Sequence, residues 1–150
     1  MGELVIERAT AEDASDVLAL MAAQFSEHEI GLEGTQLGEA IRRMVAEEGL
    51  GFILVAREAG RLVGATAVAY NWTLEHGGKS AWLDELYVLP ERRNAGVGTA
   101  LLERVMAEAV REGCLAMDLE VDAEHQRAEK LYERFGFHRL ERRRWARRLD

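Results

Sequence analysis

Hydrophobic positions along the chain switch repeatedly between a period of two and a period near 3.6. Residues 4–9 read as a short strand. Thr10 ahead of Ala11-Glu12-Asp13 has the form of a helix N-cap with an acid at the third position. The helix behind it carries Val17, Leu18, Met21 and Phe25 on one face and runs to about Ile30. Gly31, Gly34 and Gly38 break the pattern. Ala40, Ile41, Met44 and Val45 stripe a second helix, which Gly49-Leu50-Gly51 ends. Residues 52–56 and 62–72 form the arms of a hairpin around Glu58-Ala59-Gly60-Arg61. Glu75-His76-Gly77-Gly78-Lys79 is a second turn. Residues 81–89 form the next strand, and Pro90 stops it.

Residues 98–111 make the clearest helix, striped by Leu101, Leu102, Val105, Met106, Ala109 and Val110 and capped by Gly113. Leu115, Met117, Leu119 and Val121 then alternate with polar residues as a strand. Ala128, Leu131, Tyr132 and Phe135 return to helical spacing up to Gly136. An Arg-rich strand from Phe137 to about Trp145 closes the list. The order is β-α-α-β-β-β-α-β-α-β, a meander followed by a βαβ crossover. This predicts an α/β fold with a mixed sheet and helices on both faces, in a single domain over residues 1–150.

One loop carries a chemical signal. Arg93-Asn94-Ala95-Gly96-Val97-Gly98 lies between a strand and the strongest helix. Its glycines let a ligand approach the backbone, and the free N–H groups and dipole of the helix start favour an anion. A phosphate or pyrophosphate is the natural guest, and a glycine turn that only starts a helix is the plainer alternative. A dinucleotide fingerprint would need a third glycine, and a Walker loop would need Gly-Lys-Ser/Thr; neither is present.

Read from Leu86-Tyr87-Val88 through Arg93-Asn94-Ala95-Gly96-Val97-Gly98-Thr99 to Leu102, this segment resembles the acetyl-CoA motif of the GNAT N-acetyltransferase superfamily. The family pattern is Arg/Gln-x-x-Gly-x-Gly/Ala. A second likeness is Leu131-Tyr132-Glu133-Arg134-Phe135-Gly136-Phe137. The resemblance runs from Val5 onward, is strongest from Asp84 to Phe137, and implies a GNAT-like acyl-CoA N-acyltransferase fold. Small-molecule amine and polyamine acetyltransferases are the members it suggests.

The resemblance implies roles as follows. The N–H groups from Asn94 to Thr99, with Arg93, Asn94, Ala95, Gly96, Val97, Gly98 and Thr99 as the loop, hold the pyrophosphate of acetyl-CoA, the co-substrate. The backbone of Leu86, Tyr87 and Val88 pairs with its pantetheine arm where the sheet splays, and Asp118 marks the second edge. Tyr132 gives a proton to the departing thiolate, a suitable task for a phenol. His125 stands where many members have an Asn that contacts the cofactor; an imidazole can donate a hydrogen bond there but is bulkier and titrates near neutrality. The amine's proton goes to Asp84, with Glu85 or a water chain as alternatives, because adjacent strand residues face opposite ways unless a bulge intervenes.

Gln24, His28 and Glu29 at the end of the first helix, and Tyr70, Trp72 and Glu75 near a hairpin tip, form the expected acceptor pocket, with Phe25 read as core. Aromatic walls with carboxylates suit an ammonium group. The histidines show no metal-ligand spacing, so no metal is expected. Cys114 lacks a His–Asp partner pattern and is read as a bystander.

Charge sharpens the choice of partner. Residues 138–150 hold six arginines against Glu141 and Asp150, a local +4, which leaves −12 on the rest of a chain whose total is −8. Nucleic acid is disfavoured as a partner, and a cationic small-molecule amine is favoured. Solubility alone would also explain the acidity. The start of the chain has no signal-peptide pattern and no apolar run spans a membrane, so a cytoplasmic protein is expected, with a homodimer open. The alternative functions are acetylation of protein or peptide amines, and acyl-CoA binding without catalysis.

Overall fold

The computed structural model describes residues 2–27, 34–121 and 126–149. Contacts divide the chain into two units, Met1–Glu120 and Val121–Asp150.

The first unit holds β1 (Leu4–Arg8), a 3-10 turn (Ala11–Asp13), α1 (Ala14–Glu27), α2 (Gly34–Ala46), β2 (Gly51–Glu58), β3 (Arg61–Thr73), β4 (Gly78–Val88), a second 3-10 turn (Pro90–Arg92), α3 (Val97–Arg111) and β5 (Met117–Leu119). The strands lie in chain order. Every pairing is antiparallel except β4 with β5, which is parallel. The α/β class and the mixed sheet agree with the sequence reading. Gly34 and Gly38, read as breakers, lie inside α2 instead.

Helices cover both faces because both strand faces are apolar. On one face, Ala14, Val17, Leu20 and Met21 of α1 and Ile41 of α2 pack with Ile53, Val55, Leu62, Ala65, Ala67 and Tyr87. On the other, α3 buries Val97, Leu101, Leu102, Val105 and Ala109, with Val97 and Leu101 pressed onto Gly64 of β3. Val110, expected in the α3 stripe, is exposed. Glu108 is buried in that stripe, because it follows Leu101 and Val105 at i+7 and i+3 whereas Val110 is rotated away. Its carboxylate is paired with Arg8, Arg104 and Arg111, each at 3.4 Å, as a buried charge requires.

The expected N-cap forms at Thr10. Its N–H donates to the Asp13 carboxylate at 2.8 Å, and its hydroxyl does so at 3.3 Å. Arg57 of β2 donates to the same carboxylate, tying the entry of α1 to the sheet. Burial pushes the Asp13 carboxyl up, but the Thr10 N–H and the Arg57 guanidinium outweigh it and hold the pKa below the ordinary value. The linked stability is therefore full above the unfolded carboxyl pKa and is lost as pH falls through the folded one. Asp13→Asn is expected to cost about 2 kcal/mol at pH 7, with the difference from the native chain shrinking below about pH 4. Urea melts across pH check this; a difference constant down to the lowest pH would remove Asp13 as its source.

The second unit holds α4 (Gln126–Arg134). The strand expected over 137–145 does not form: residues 137–149 are neither helix nor strand. Six arginines crowd like charge there, and Leu140, Trp145 and Leu149 are exposed. No apolar face is buried to offset the entropy of ordering.

Candidate active site

The site in the first unit begins at a break in register. Ala67 of β3 pairs with Glu85 of β4, but the next β3 residue, Val68, pairs with Leu83. Asp84 is therefore the extra residue of a β-bulge. Register partners share a face of a sheet. Trp82 is opposite Ala69 and Glu85 is opposite Ala67, and Ala67 belongs to the core under α1 and α2. The bulge thus turns two carboxylates on consecutive residues toward the same side, with Trp82 ahead of them. The Trp82 indole Nε1 donates to Asp84 Oδ1 at 3.3 Å. The buried Thr66 hydroxyl donates to the Glu85 carbonyl at 2.6 Å and pins the bulge from behind. Thr66 and Trp82 were not anticipated from sequence. Their signal lies in the β3 register, which a single strand does not reveal.

The same break sets up an open edge. On its outer side β4 pairs β5 only over Ala81–Leu83. Among the described residues no strand lies beside 84–88 on that side. Leu89 N–H donates to the Val63 carbonyl at 2.9 Å. Antiparallel alternation then gives the backbone groups of Tyr87 to Ala65, while those of Leu86 and Val88 point out to the gap. Of the three backbone positions expected at the pantetheine arm, Leu86 and Val88 face the opening. The Tyr87 side chain is buried in the core. Arg93 marks the end of this edge: its Nε donates to the Val88 carbonyl at 3.0 Å and its guanidinium lies 5.2 Å from the Tyr87 ring centroid.

The loop after β4 matches an anion cradle. Arg92 donates to Glu58 at 2.6 Å and Arg61 donates to Glu91 at 3.0 Å, anchoring its start. Asn94 and Gly96 take left-handed conformations, φ 63° and 87°. Gly96 caps α3, and the first helical bond runs from Ala100 N–H to its carbonyl. The amides of Val97, Gly98 and Thr99 therefore precede the intrahelical ladder. A Cβ at Gly96 would meet nothing within 4 Å, so the left-handed φ is what calls for glycine there, and the space above it is open. These groups fit a pyrophosphate.

The remaining expected residues divide. Gln24 continues the buried stripe of α1 one turn past Leu20 and Met21, and its Oε1 is buried with no hydrogen-bond partner among the described residues. Trp72 is exposed on the opposite side: it pairs with Lys79, whose ammonium donates to the Glu112 carbonyl after α3. Tyr70 goes to that α3 side too, with the Lys79 ammonium 4.1 Å from its ring centroid. Burial, then the Glu112 carboxylate, pushes its phenol pKa up. The aromatic residue beside the acids is thus Trp82, because alternation carries Tyr70 and Trp72 to the α3 face. Glu75 is exposed in the β3–β4 turn. Its neighbour His76 places Nε2 at 2.7 Å from Asp118 Oδ2 of β5. His28, Glu29, His125 and the Phe25 side chain lie outside the described residues.

Cys114 is half-buried, and burial pushes its thiol pKa up, which keeps it a poor nucleophile. Among the described residues no three His, Cys, Asp or Glu side chains gather as a metal site, and no helix is long and apolar enough to cross a membrane.

In the second unit Tyr132 is the third residue from the end of α4. Phe137 N–H donates to its carbonyl at 3.1 Å, and Gly136 N–H to that of Glu133 at 3.0 Å. With Gly136 at φ 89°, this is a Schellman cap, which brings the residue after the glycine onto the last turn. The Phe137 and Tyr132 rings meet edge to face, 5.8 Å between centroids. The Tyr-x-x-x-Gly-Phe spacing is thereby explained as a device that fixes the tyrosine ring.

The sequence pattern of the Acetyltransferase (GNAT) family matches residues 16–137. An uncharacterized N-acetyltransferase of Mycobacterium tuberculosis is 35% identical over 85 residues, 57% of this chain and 51% of that protein. A mycothiol acetyltransferase of Clavibacter michiganensis is 34% identical over 140 residues, 89% of this chain and 42% of that protein. The chain thus spans about half the length of the curated relatives it matches. An aminoglycoside N-acetyltransferase solved in complex with CoA superposes with a TM-score of 0.85 at 16% identity, covering 99% of this chain and 96% of that one.

Proposed function

The chain belongs to the GNAT acetyltransferase family, and on that premise we propose that it moves the acetyl group of acetyl-CoA directly to a primary amine of a small cationic molecule. The observation that carries this reading is the bulge at Asp84, which stands Trp82, Asp84 and Glu85 on one face beside the open edge of β4. A carboxylate pair next to an indole ring attracts an ammonium group. The acidity of the chain outside residues 138–150 adds long-range attraction. The relative named for mycothiol rather than for a protein supports a small-molecule acceptor.

The loop from Arg93 to Thr99 holds the pyrophosphate, and the outward amides of Leu86 and Val88 hold the arm as an added strand would. Asp84 takes the proton that the ammonium must lose. The amine nitrogen then attacks the thioester carbonyl carbon; an N–C bond forms, the C–S bond breaks, and the second proton that the nitrogen must shed to become an amide passes to water. The Val88 N–H meets the charge developing on the carbonyl oxygen. Tyr132 gives its phenolic proton to the thiolate.

Release of CoA against polyamines, amino acids, aminoglycosides and short peptides tests the reading. Turnover on a small polyamine or aminoglycoside, weakening as salt screens the acidic surface, is the expected result. Turnover confined to peptides would move the assignment to protein acetylation. Acetyl-CoA raising the melting temperature with no amine acetylated would leave a binding module. No thermal shift would overturn the cofactor loop itself.

A further inference from the structure

We infer that His76 and Asp118 form a latch that holds the β3–β4 turn against β5 across the acid-bearing face, and that this latch sets the affinity for the amine acceptor. The inference rests on the reading above for its substrate, but the latch itself is read from geometry alone.

Asp118 is the middle residue of β5 and the register partner of Trp82. Its side chain therefore shares the face of Trp82, and with it that of Asp84 and Glu85. His76 belongs to the turn between β3 and β4, 42 residues away in sequence, yet its Nε2 lies 2.7 Å from the Asp118 carboxylate. That bond brings the turn to this face. The imidazole is 21% exposed and the carboxylate 33%, so the bond is partly shielded from water and stronger than a surface contact. The β5 strand is three residues long and pairs with Ala81–Leu83; just ahead of it the Leu115 N–H donates to the Lys79 carbonyl and the Ala81 N–H to the Ala116 carbonyl, each at 2.9 Å, and so short an edge gains from a side-chain bond to the turn. Across the turn, the Gly77 N–H reaches only the Leu74 carbonyl. The latch closes one end of the acid-bearing face. Asp118 is thus a positioning residue, acting through His76, and its carboxylate is committed before a cofactor arrives.

Three variants test this: His76→Ala, Asp118→Asn and the double variant. Each single change is expected to raise the amine KM roughly tenfold, as loss of one charge-assisted hydrogen bond would. The acetyl-CoA KM is expected to stay within about twofold. The double variant should be no worse than either single one, since the two residues act as a unit. Amide exchange over residues 74–83, measured without substrates, should quicken in all three. A raised acetyl-CoA KM in Asp118→Asn alone would overturn the latch in favour of a direct cofactor contact. Additive effects, or exchange unchanged in every variant, would also overturn it. If no amine is acetylated at all, the proposed function fails while amide exchange still decides the latch.

Discussion

Tyr132→Phe is expected to lower turnover by roughly two orders of magnitude, the scale of a lost general acid, while the acetyl-CoA KM stays within about twofold and the melting temperature is unchanged. The reasoning starts from the cap of α4. The ring is fixed by backbone bonds from Gly136 and Phe137 and by its edge-to-face contact with Phe137. Phenylalanine keeps all of these and removes the hydroxyl. The leaving thiolate then departs unprotonated, which slows the bond-breaking step without weakening cofactor binding. Steady-state rates on the best amine of the panel, with a thermal melt beside them, check it. Unchanged turnover would remove Tyr132 from the mechanism. A melting temperature lowered along with the rate would mean that the hydroxyl serves the fold.

Gly51→Ala is expected to destabilise the chain by at least about 3 kcal/mol, the scale of overpacking combined with a forbidden backbone conformation. Gly51 opens β2 at φ 151°, and an added Cβ would fall 1.9 Å from the Val68 carbonyl oxygen. Val68 is fully buried and is the β3 residue at which the register with β4 breaks. The strand cannot retreat without disturbing the bulge that aims Asp84 and Glu85. Urea unfolding checks the stability, and the amine KM of whatever folds checks the coupling. Gly49→Ala is the control: it lies two residues earlier, where a Cβ would meet nothing within 4 Å. It should change stability by less than about 0.5 kcal/mol. Equal effects at the two positions would refute the steric account.

Local signals were legible along the chain. The Arg93–Gly98 loop followed by an apolar helix reads as an anion cradle because its conformation depends on its own glycines and on the helix it starts. Tyr132, Gly136 and Phe137 are recognisable together because a helix cap is closed by neighbours within six residues. The capping acid at Asp13 was legible for the same reason, although its partner Arg57 was not.

Pairing across the sheet lay beyond a one-dimensional pattern. A strand's period of two shows which residues alternate, but its register depends on the strand beside it. Alternation puts Asp84 and Glu85 on one face only if a bulge intervenes. The bulge itself is set where Val68 meets Leu83 and Ala67 meets Glu85. That same register places Trp82 on the face of the two acids and Trp72 and Tyr70 on the far one. Glu108 became a core residue because three arginines from β1 and α3 converge on it. The final strand failed because its arginines offer no buried face. The sequence by itself determined the elements from β1 to α4, the glycine loop that starts α3 and the capped tyrosine, all products of short-range geometry. The tertiary structure alone decided the bulge, the open edge and the His76–Asp118 bond, because each is a contact between segments that the chain order keeps apart.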